Sequence, residues 1–149
     1  MIFLLVPLFI ILDQVSKILI SKYLKYGSKA IFGDWFHLTY VENPGAAFGM
    51  LAGRQTFFIV LTVAVVLFFS FFLYKEYGQL NGVEKWAAVC FLSGAIGNLI
   101  DRIIYGYVID FIDITFFGTY HFPVFNVADI LISMGAFFFL ISVFYRSKA

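Results

Sequence analysis

Charge is scarce in this sequence. Only 13% of its 149 residues are Asp, Glu, Lys or Arg and 62% are hydrophobic, whereas about 25% of a soluble domain is charged. The formal net charge of +1, with no run of Lys or Arg, gives no support to nucleic-acid binding. A chain this apolar belongs in a lipid bilayer, and its length suits a single domain.

Cysteine and histidine are also scarce. Cys90 is the single cysteine, which excludes an internal disulfide framework and a Cys-rich metal site. It lies in an apolar run, so we interpret it as an inert buried thiol. His37 and His121 form no spaced pair of metal ligands, and we place both at the membrane interface or in loops. The sequence therefore predicts no metal and no cofactor.

Four long apolar runs are present. The first lacks the basic start and the small-residue cleavage site of a secretory signal peptide, so we predict that it is a retained span. Each run has roughly the 20 residues that are needed to cross the hydrocarbon. The chain is therefore predicted to be one integral-membrane domain, residues 1–149, with spans at residues 2–21, 56–74, 86–104 and 127–145.

The segments between the spans are not all simple connections. Residues 34–41 (DWFHLTYV) are rich in aromatic and β-branched residues, which predicts a strand at the membrane surface. Pro44 and Gly45 follow in a predicted turn, where small residues allow another backbone or a substrate to approach. Residues 112–121 are predicted to be a loop that could act as a lid. The fold class is membrane all-α with a small β element.

Topology alone leaves the orientation of the chain open. Four spans place both termini on the same side of the membrane. The Lys and Arg residues flanking the spans divide four against five between the two sides, so they do not favour either orientation.

Asp13 and Lys17 are four residues apart in the first span, which places both on one helix face and predicts an ion pair. We favour a structural pair that lets two costly charges share a helix. The alternative is that the pair anchors a lipid headgroup or supports an active site.

Polar residues concentrate between positions 98 and 129, close to hydrocarbon, where ionisable groups usually mark a functional site. Asp110 follows the end of span three, and Asp129 lies about one turn inside span four. The two carboxylates therefore occur at similar depth on one membrane face. Asn126 is predicted to cap span four, which puts Asp129 at the third helical position.

Two neighbouring carboxylates cannot both ionise cheaply, so the pair shares a proton. The ionised member can then activate water while the protonated one polarises a carbonyl, as in aspartic proteases. Asp110 and Asp129 are thus the predicted catalytic residues. Asp113 is predicted to be a plain surface carboxylate. We predict that Asn98, Asp101, Arg102 and Asn126 support the structure of the site and take no direct part in the reaction.

Two other functional classes remain open from the residues alone. A small transporter or channel could use Asp110 and Asp129 as a proton relay, although the four spans show no inverted repeat. A non-catalytic assembly factor could use the polar cluster only to hold its helices together. Such a factor would tolerate Asp→Asn at either position.

Four motifs accompany the Asp13 and Lys17 pair in chain order: residues 41–49 (VENPGAAFG), 97–102 (GNLIDR), 106–111 (GYVIDF) and 125–129 (FNVAD). With these motifs, nearly the whole chain resembles the lipoprotein signal peptidases (signal peptidase II), the bacterial membrane aspartyl proteases. The resemblance implies catalysis by Asp110 and Asp129. It also implies supporting roles for Asn43, Asn98, Asp101, Arg102 and Asn126, to which we add Gly45 as part of the substrate-binding turn.

The resemblance further implies that the substrates are diacylglyceryl-modified prolipoproteins, cut just before the lipidated cysteine. It places the enzyme in the bacterial cytoplasmic membrane, in contact with membrane lipid. Both termini would be cytoplasmic, and the active site would lie near the outer face beside an extracytoplasmic β-sheet cradle. We expect a monomer.

Overall fold

The computed structural model describes residues 2–45, 54–118 and 120–146. A short 3-10 turn at Ile2–Leu4 precedes α1. In the described part of the chain, four helices are long and apolar enough to cross a bilayer, and each overlaps one of the predicted spans to within a few residues at either end. Their bounds are Leu5–Leu24 for α1, Gln55–Glu76 for α2, Gly82–Tyr105 for α3 and Val127–Arg146 for α4.

The β element is a four-stranded antiparallel sheet in the order β1-β2-β3-β4. Its strands are Ser28–Phe32 (β1), Phe36–Asn43 (β2), Val108–Phe116 (β3) and Tyr120–His121 (β4). The strand predicted at residues 34–41 is present as β2, but it begins and ends two residues later. The prediction was shifted because Asp34 and Trp35 belong to the turn that joins β1 to β2.

The prediction that residues 112–121 form a loop is wrong. The first half of this segment belongs to β3, where Ile112 pairs with Leu38 and Ile114 with Phe36 of β2. The chain then turns back into β4, so that Thr115 pairs with His121. In its described residues the segment is therefore part of the sheet, because Ile112, Ile114, Thr115, Phe116, Tyr120 and His121 take part in strand pairing.

The sheet lies at the end of the helix bundle where α1 and α3 finish and α4 begins. A small apolar core joins the two parts: Ile20 of α1 packs with Tyr40 of β2 and with Ile109 and Phe111 of β3. This core fixes the start of β3 relative to α1, and it therefore also fixes the residue between its two β3 members, Asp110.

Helices α3 and α4 pack closely along small residues. A Cβ atom at Gly135 of α4 would lie 2.8 Å from the Phe91 backbone nitrogen and 2.9 Å from the Ala87 oxygen of α3. Such close approach between membrane helices needs residues without large side chains. By contrast, Leu73 is the one fully buried residue of α2; Val66 and Phe69 pack partly against the same core, and many of the remaining side chains are exposed, as expected for a helix at the lipid-facing side of the bundle.

Candidate active site

Asp110 lies in β3, close to the start of α4, and its side chain is buried. Both carboxylate oxygens accept hydrogen bonds from carboxamides. The Asn126 Nδ2 atom donates to Oδ1 over 2.6 Å, and Asn43 Nδ2 donates to Oδ2 over 2.8 Å. The carboxylate is thereby held from two sides, by the end of β2 and by the beginning of α4.

Asp129 is positioned by the cap of α4. The Asn126 Oδ1 atom accepts from the Asp129 backbone N–H at 3.0 Å, and Asp129 Oδ2 accepts from the Asn126 N–H at 3.1 Å. These reciprocal bonds form a capping box, which confirms the predicted cap and the predicted place of Asp129 in the first turn. The other oxygen, Oδ1, accepts from Asn98 Nδ2 at 2.8 Å.

Two carboxamides connect the carboxylates into one network. Asn126 Nδ2, which binds Asp110, also donates to Asn98 Oδ1 over 3.1 Å, and Asn98 in turn donates to Asp129. Asp110 and Asp129 are therefore brought together as the sequence predicts, with Asn98 and Asn126 between them.

The direction of each hydrogen bond in this network is fixed by groups that can only donate. The Lys17 ammonium donates to Asn98 Oδ1, and the Gly45 backbone N–H donates to Asn43 Oδ1 at 3.0 Å. Asn126 Oδ1 likewise faces a backbone N–H. Because each oxygen is occupied by a donor, each carboxamide turns its NH₂ group toward a carboxylate.

A buried ionic cluster lies behind the network. Lys17 Nζ is 2.9 Å from a carboxylate oxygen of Asp13 and 2.9 Å from one of Asp101, and all three side chains are almost completely buried. The predicted pair of Asp13 and Lys17 is present, but it has a third member from α3. The Gln14 amide donates to both carboxylates, at 3.1 and 2.9 Å.

The two acidic members of this cluster hold the backbone beside the candidate catalytic residues. Asp13 Oδ1 accepts from the Ala128 N–H at 2.9 Å, and Asp101 Oδ2 accepts from the Ile109 N–H at 3.1 Å. Ala128 precedes Asp129 and Ile109 precedes Asp110. Of the two interpretations of the Asp13 and Lys17 pair, these contacts favour the one in which it supports the site.

Arg102 spans the gap between α3 and the turn after β2. Its Nη1 donates to the Asn98 carbonyl at 3.3 Å and its Nη2 to the Gly45 carbonyl at 3.2 Å, while the guanidinium lies 5.2 Å from the centre of the Phe58 ring. Because the Gly45 carbonyl accepts this bond, Arg102 ties the end of β2 to α3.

A cavity of about 670 Å³ lies against the network. Six of the eight predicted site residues line it, while Asp101 and Asn126 lie behind the wall. Ser133 and Phe137 also line it, at the helical spacing of four and eight residues after Asp129; this spacing could have identified them from the sequence. The six predicted residues in the wall are Asn43, Gly45, Asn98, Arg102, Asp110 and Asp129.

Burial raises the pKa of Asp110 to about 7, and the neighbouring charge of Asp129 acts in the same direction. Hydrogen bonds from Asn43 and Asn126 oppose this increase without cancelling it. A pair with this electrostatic arrangement can hold a single proton near neutral pH.

Asp113 needs a correction. It was predicted to be a plain surface carboxylate, but it is half-buried within β3 and accepts a hydrogen bond from Thr39 Oγ1 of β2 at 2.8 Å.

Regarding metals, no three acidic, His or Cys side chains converge as ligands within residues 2–45, 54–118 and 120–146.

Sequence comparison places this chain in a known family. The family model described as Signal peptidase (SPase) II matches residues 5–145. The chain belongs to the signal peptidase II family. It is therefore a membrane peptidase related to lipoprotein signal peptidases, as the motifs of the sequence indicate.

Individual relatives agree with this assignment to the signal peptidase II family. The lipoprotein signal peptidase of Halothermothrix orenii is 41% identical over 149 residues, which cover 99% of this chain and 98% of the relative. That of Caldanaerobacter subterraneus is 50% identical over 130 residues, 85% of this chain and 84% of the relative.

Two solved structures share the fold. Both are described as bacterial membrane enzymes, obtained by the in meso method at 2.3 and 1.9 Å resolution. The first has a TM-score of 0.88 and 33% identity, and the match covers 98% of this chain and 88% of that chain. The second has a TM-score of 0.83 and 34% identity over 95% of this chain and 91% of that one.

Proposed function

We propose that this member of the signal peptidase II family is an aspartyl endopeptidase. It removes the signal peptide from diacylglyceryl-modified prolipoproteins by cutting just before the lipidated cysteine. The observation that carries the proposal is the network in which Asn98 and Asn126 connect Asp110 to Asp129 at the wall of an apolar cavity.

The proposed reaction uses one proton shared by the two carboxyl groups. The ionised carboxylate accepts a proton from a water molecule as the water oxygen attacks the scissile carbonyl carbon. The protonated carboxyl stabilises the developing oxyanion by hydrogen bonding. When the carbon–nitrogen bond breaks, a proton passes to the leaving nitrogen, so one water molecule is consumed for each bond cut.

The raised pKa of Asp110 supports a resting pair with one proton near neutral pH. Asp129 then serves as the base and Asp110 as the acid. The carboxamides contribute by position, because each turns NH₂ donors toward an oxygen that must keep its place during the reaction. Asn43, Asn98 and Asn126 are therefore proposed positioning residues. Asp101 is proposed to position Asp110 indirectly, because it accepts a hydrogen bond from the backbone N–H of the preceding residue, Ile109.

The shape of the cavity supports a substrate that arrives through the lipid. Its wall continues along α4 over Ile130, Met134 and Phe137, and 38%, 42% and 61% of these side chains are exposed. In a membrane helix such faces contact acyl chains. A lipid-anchored peptide could therefore move sideways into the cavity, with its scissile bond at the polar end and its acyl chains along α4.

The same proposal sets the orientation of the chain. The mature part of a prolipoprotein lies outside the cytoplasmic membrane, so the sheet and the site face outward and both termini are cytoplasmic. Arg102 and Gly45, which both line the cavity, are proposed to contact the substrate. We further propose that the chain acts as a single domain and as a monomer.

The test uses purified protein in non-ionic detergent and two peptides of one sequence, with and without the diacylglyceryl group on cysteine. Mass spectrometry of the products locates the cut bond. We expect cleavage of the lipidated peptide alone, directly before the cysteine. A well-folded enzyme that cleaves neither peptide, or both at equal rates, contradicts the proposal and reopens the transporter and assembly-factor interpretations.

A further inference from the structure

Within the described part of the chain, the cavity wall contains one hydrogen-bonding side chain outside the candidate active site. This is Ser133 of α4, whose neighbours in the wall are the apolar Ile130, Ile132 and Met134. The other hydrogen-bonding side chains that line the cavity are those of Asn43, Asn98, Arg102, Asp110 and Asp129. Ser133 is therefore an isolated polar group in the part of the wall that the proposed function assigns to acyl chains.

Ser133 lies one helical turn after Asp129, on the same face of α4. Helix α4 begins beside the sheet and the candidate catalytic residues, and from there it runs into the membrane. One turn of four residues advances by about 6 Å along the helix axis. Ser133 therefore lies deeper in the hydrocarbon than Asp129, at a distance of about one turn.

The Ser133 hydroxyl is exposed, and within residues 2–45, 54–118 and 120–146 it has no hydrogen-bond partner. Two other serines of the spans are paired: Ser93 donates to the Val89 carbonyl over 2.6 Å, and Ser142 donates to Glu84 over 2.8 Å. A hydroxyl without a partner in an apolar environment costs free energy. An acceptor that a substrate brings to this depth would remove that cost.

A diacylglyceryl-modified cysteine carries an acceptor at a matching distance. The carbonyl carbon of its nearer ester is about six bonds from the cysteine Cα atom, which in an extended chain is about 7 Å. With the scissile bond at Asp110 and Asp129 and the acyl chains along α4, this carbonyl lies at the level of Ser133. The acyl chains beyond the ester offer no acceptor.

We propose that Ser133 donates a hydrogen bond to an ester carbonyl of the diacylglyceryl group and thereby sets the depth of the substrate. This inference rests on the proposed function. Because the bond fixes the ester one turn from Asp129, it helps to hold the scissile bond beside the catalytic pair. It also makes Ser133 a specificity-determining residue, which distinguishes acyl esters from alkyl ethers that lack the carbonyl.

The experiment compares two lipidated peptides of one sequence. One carries two ester-linked acyl chains on its glyceryl-cysteine, and the other carries two ether-linked alkyl chains of equal length. Both are offered together in non-ionic detergent, and the ratio of their kcat/KM values is the readout. For one neutral hydrogen bond we expect the wild type to prefer the ester peptide by about three- to tenfold.

Ser133→Thr and Ser133→Val form a matched pair, because the two side chains have similar shapes and only Thr keeps the hydroxyl. Ser133→Thr should retain the preference for the ester peptide, and Ser133→Val should bring the ratio close to one. Ser70→Ala is the control for loss of an exposed hydroxyl from a span, because Ser70 lies on α2, outside the cavity wall. It should keep the wild-type ratio. Thermal unfolding verifies that each variant folds.

Equal kcat/KM values for the two peptides in the wild type would overturn this inference and leave the proposed function intact. So would a preference for the ester that survives in folded Ser133→Val, since the hydroxyl would then not be its cause. Loss of the preference in both Ser133→Thr and Ser133→Val would assign it to the shape of the side chain and overturn the inference as well. If the wild type cleaves neither peptide, the proposed function fails and this inference falls with it.

Discussion

The Lys17 ammonium lies 2.9 Å from Asn98 Oδ1, and this contact decides which end of the carboxamide faces Asp129. An ammonium can only donate, so Asn98 must present its oxygen to Lys17 and its NH₂ group to the carboxylate. The same ammonium pairs with Asp13 and Asp101, which hold the backbone next to Asp129 and Asp110. One buried cation of the first helix thus organises both halves of the site.

We predict that Lys17→Met strongly destabilises the protein. The substitution removes the cation and leaves the carboxylates of Asp13 and Asp101 buried without their partner, and breaking a buried ion pair in this way costs about 3–5 kcal/mol. Thermal unfolding in detergent should show a large fall in Tm.

Lys22→Met is the control for this prediction, because Lys22 is an exposed lysine at the end of the same helix. It should change the Tm little. An equal fall in both variants, or no fall in Lys17→Met, would show that the ionic cluster does not stabilise the fold.

We predict that kcat/KM for the lipidated peptide falls above about pH 7. The reaction needs one proton on the pair, and the pKa of Asp110 is about 7, so the acid member is lost as the pH rises through that value. Activity should also fall in acid, where the pair takes up a second proton. The two apparent pKa values of this pH profile describe the pair of carboxyl groups together. A rate that keeps rising to pH 9 would contradict this assignment.

We predict that the stability of the wild type, relative to Asp110→Asn, decreases between about pH 4 and pH 7. The Asp110 pKa rises from 3.8 to about 7 in the folded protein, so the unfolded chain loses this proton first as the pH increases. Below pH 4 both states hold the proton, and above pH 7 neither does. The change in relative stability is at most about 4 kcal/mol, from 1.36 kcal/mol for each pKa unit.

The measurement is the difference in Tm between wild type and Asp110→Asn from pH 4 to pH 9. Any constant effect of the substitution cancels, since only the dependence on pH is compared. A constant difference, or one that changes in favour of the wild type as the pH rises, would contradict the raised pKa.

We predict that Gly94→Ala damages both stability and activity. The added Cβ would collide with the Ala128 carbonyl oxygen and lie 2.8 Å from Ile132 Cγ1, so α4 must move away from α3. Overpacking of this kind costs about 1–3 kcal/mol, and Ala128 is the residue before Asp129. Tm and peptide cleavage should both decrease.

Gly78→Ala is the matched control, because no heavy atom outside Gly78 and its two chain neighbours lies within 4 Å of the position its Cβ would take. It should leave both quantities near the wild-type values. Full activity in Gly94→Ala would mean that the close packing of α3 and α4 is not needed to place Asp129.

The helices could be predicted from the sequence because length and hydropathy alone define a membrane span. The sheet was only partly predictable. All five residues of β1 are exposed. Because the strand has no buried face, Ser28–Phe32 does not need apolar residues at every second position and shows no such alternation. In β3, Asp110 and Asp113 fall on alternate phases of the strand, which breaks the period of two that identifies a half-buried strand.

Within the site, Asp110 and Asp129 could be placed together because the topology brings the end of span three to the start of span four. The bond from Lys17 to Asn98 could not be predicted, because it joins residues 81 positions apart. Of the partners of Lys17, only Asp13 lies at helical spacing from it in the sequence. The contacts of Gln14 with Asp101 are hidden for the same reason. Such contacts depend on helix packing, which no local pattern records.

The central claim, that Asp110 and Asp129 perform the chemistry, is tested most directly by turnover of the lipidated peptide in single Asp→Asn variants. Asp113→Asn serves as the matched control on the same strand, and thermal unfolding verifies that each variant folds. We predict that Asp110→Asn and Asp129→Asn each lose activity by about 10²–10⁴-fold while Asp113→Asn retains it. Turnover that survives in a folded Asp110→Asn or Asp129→Asn protein would contradict the claim.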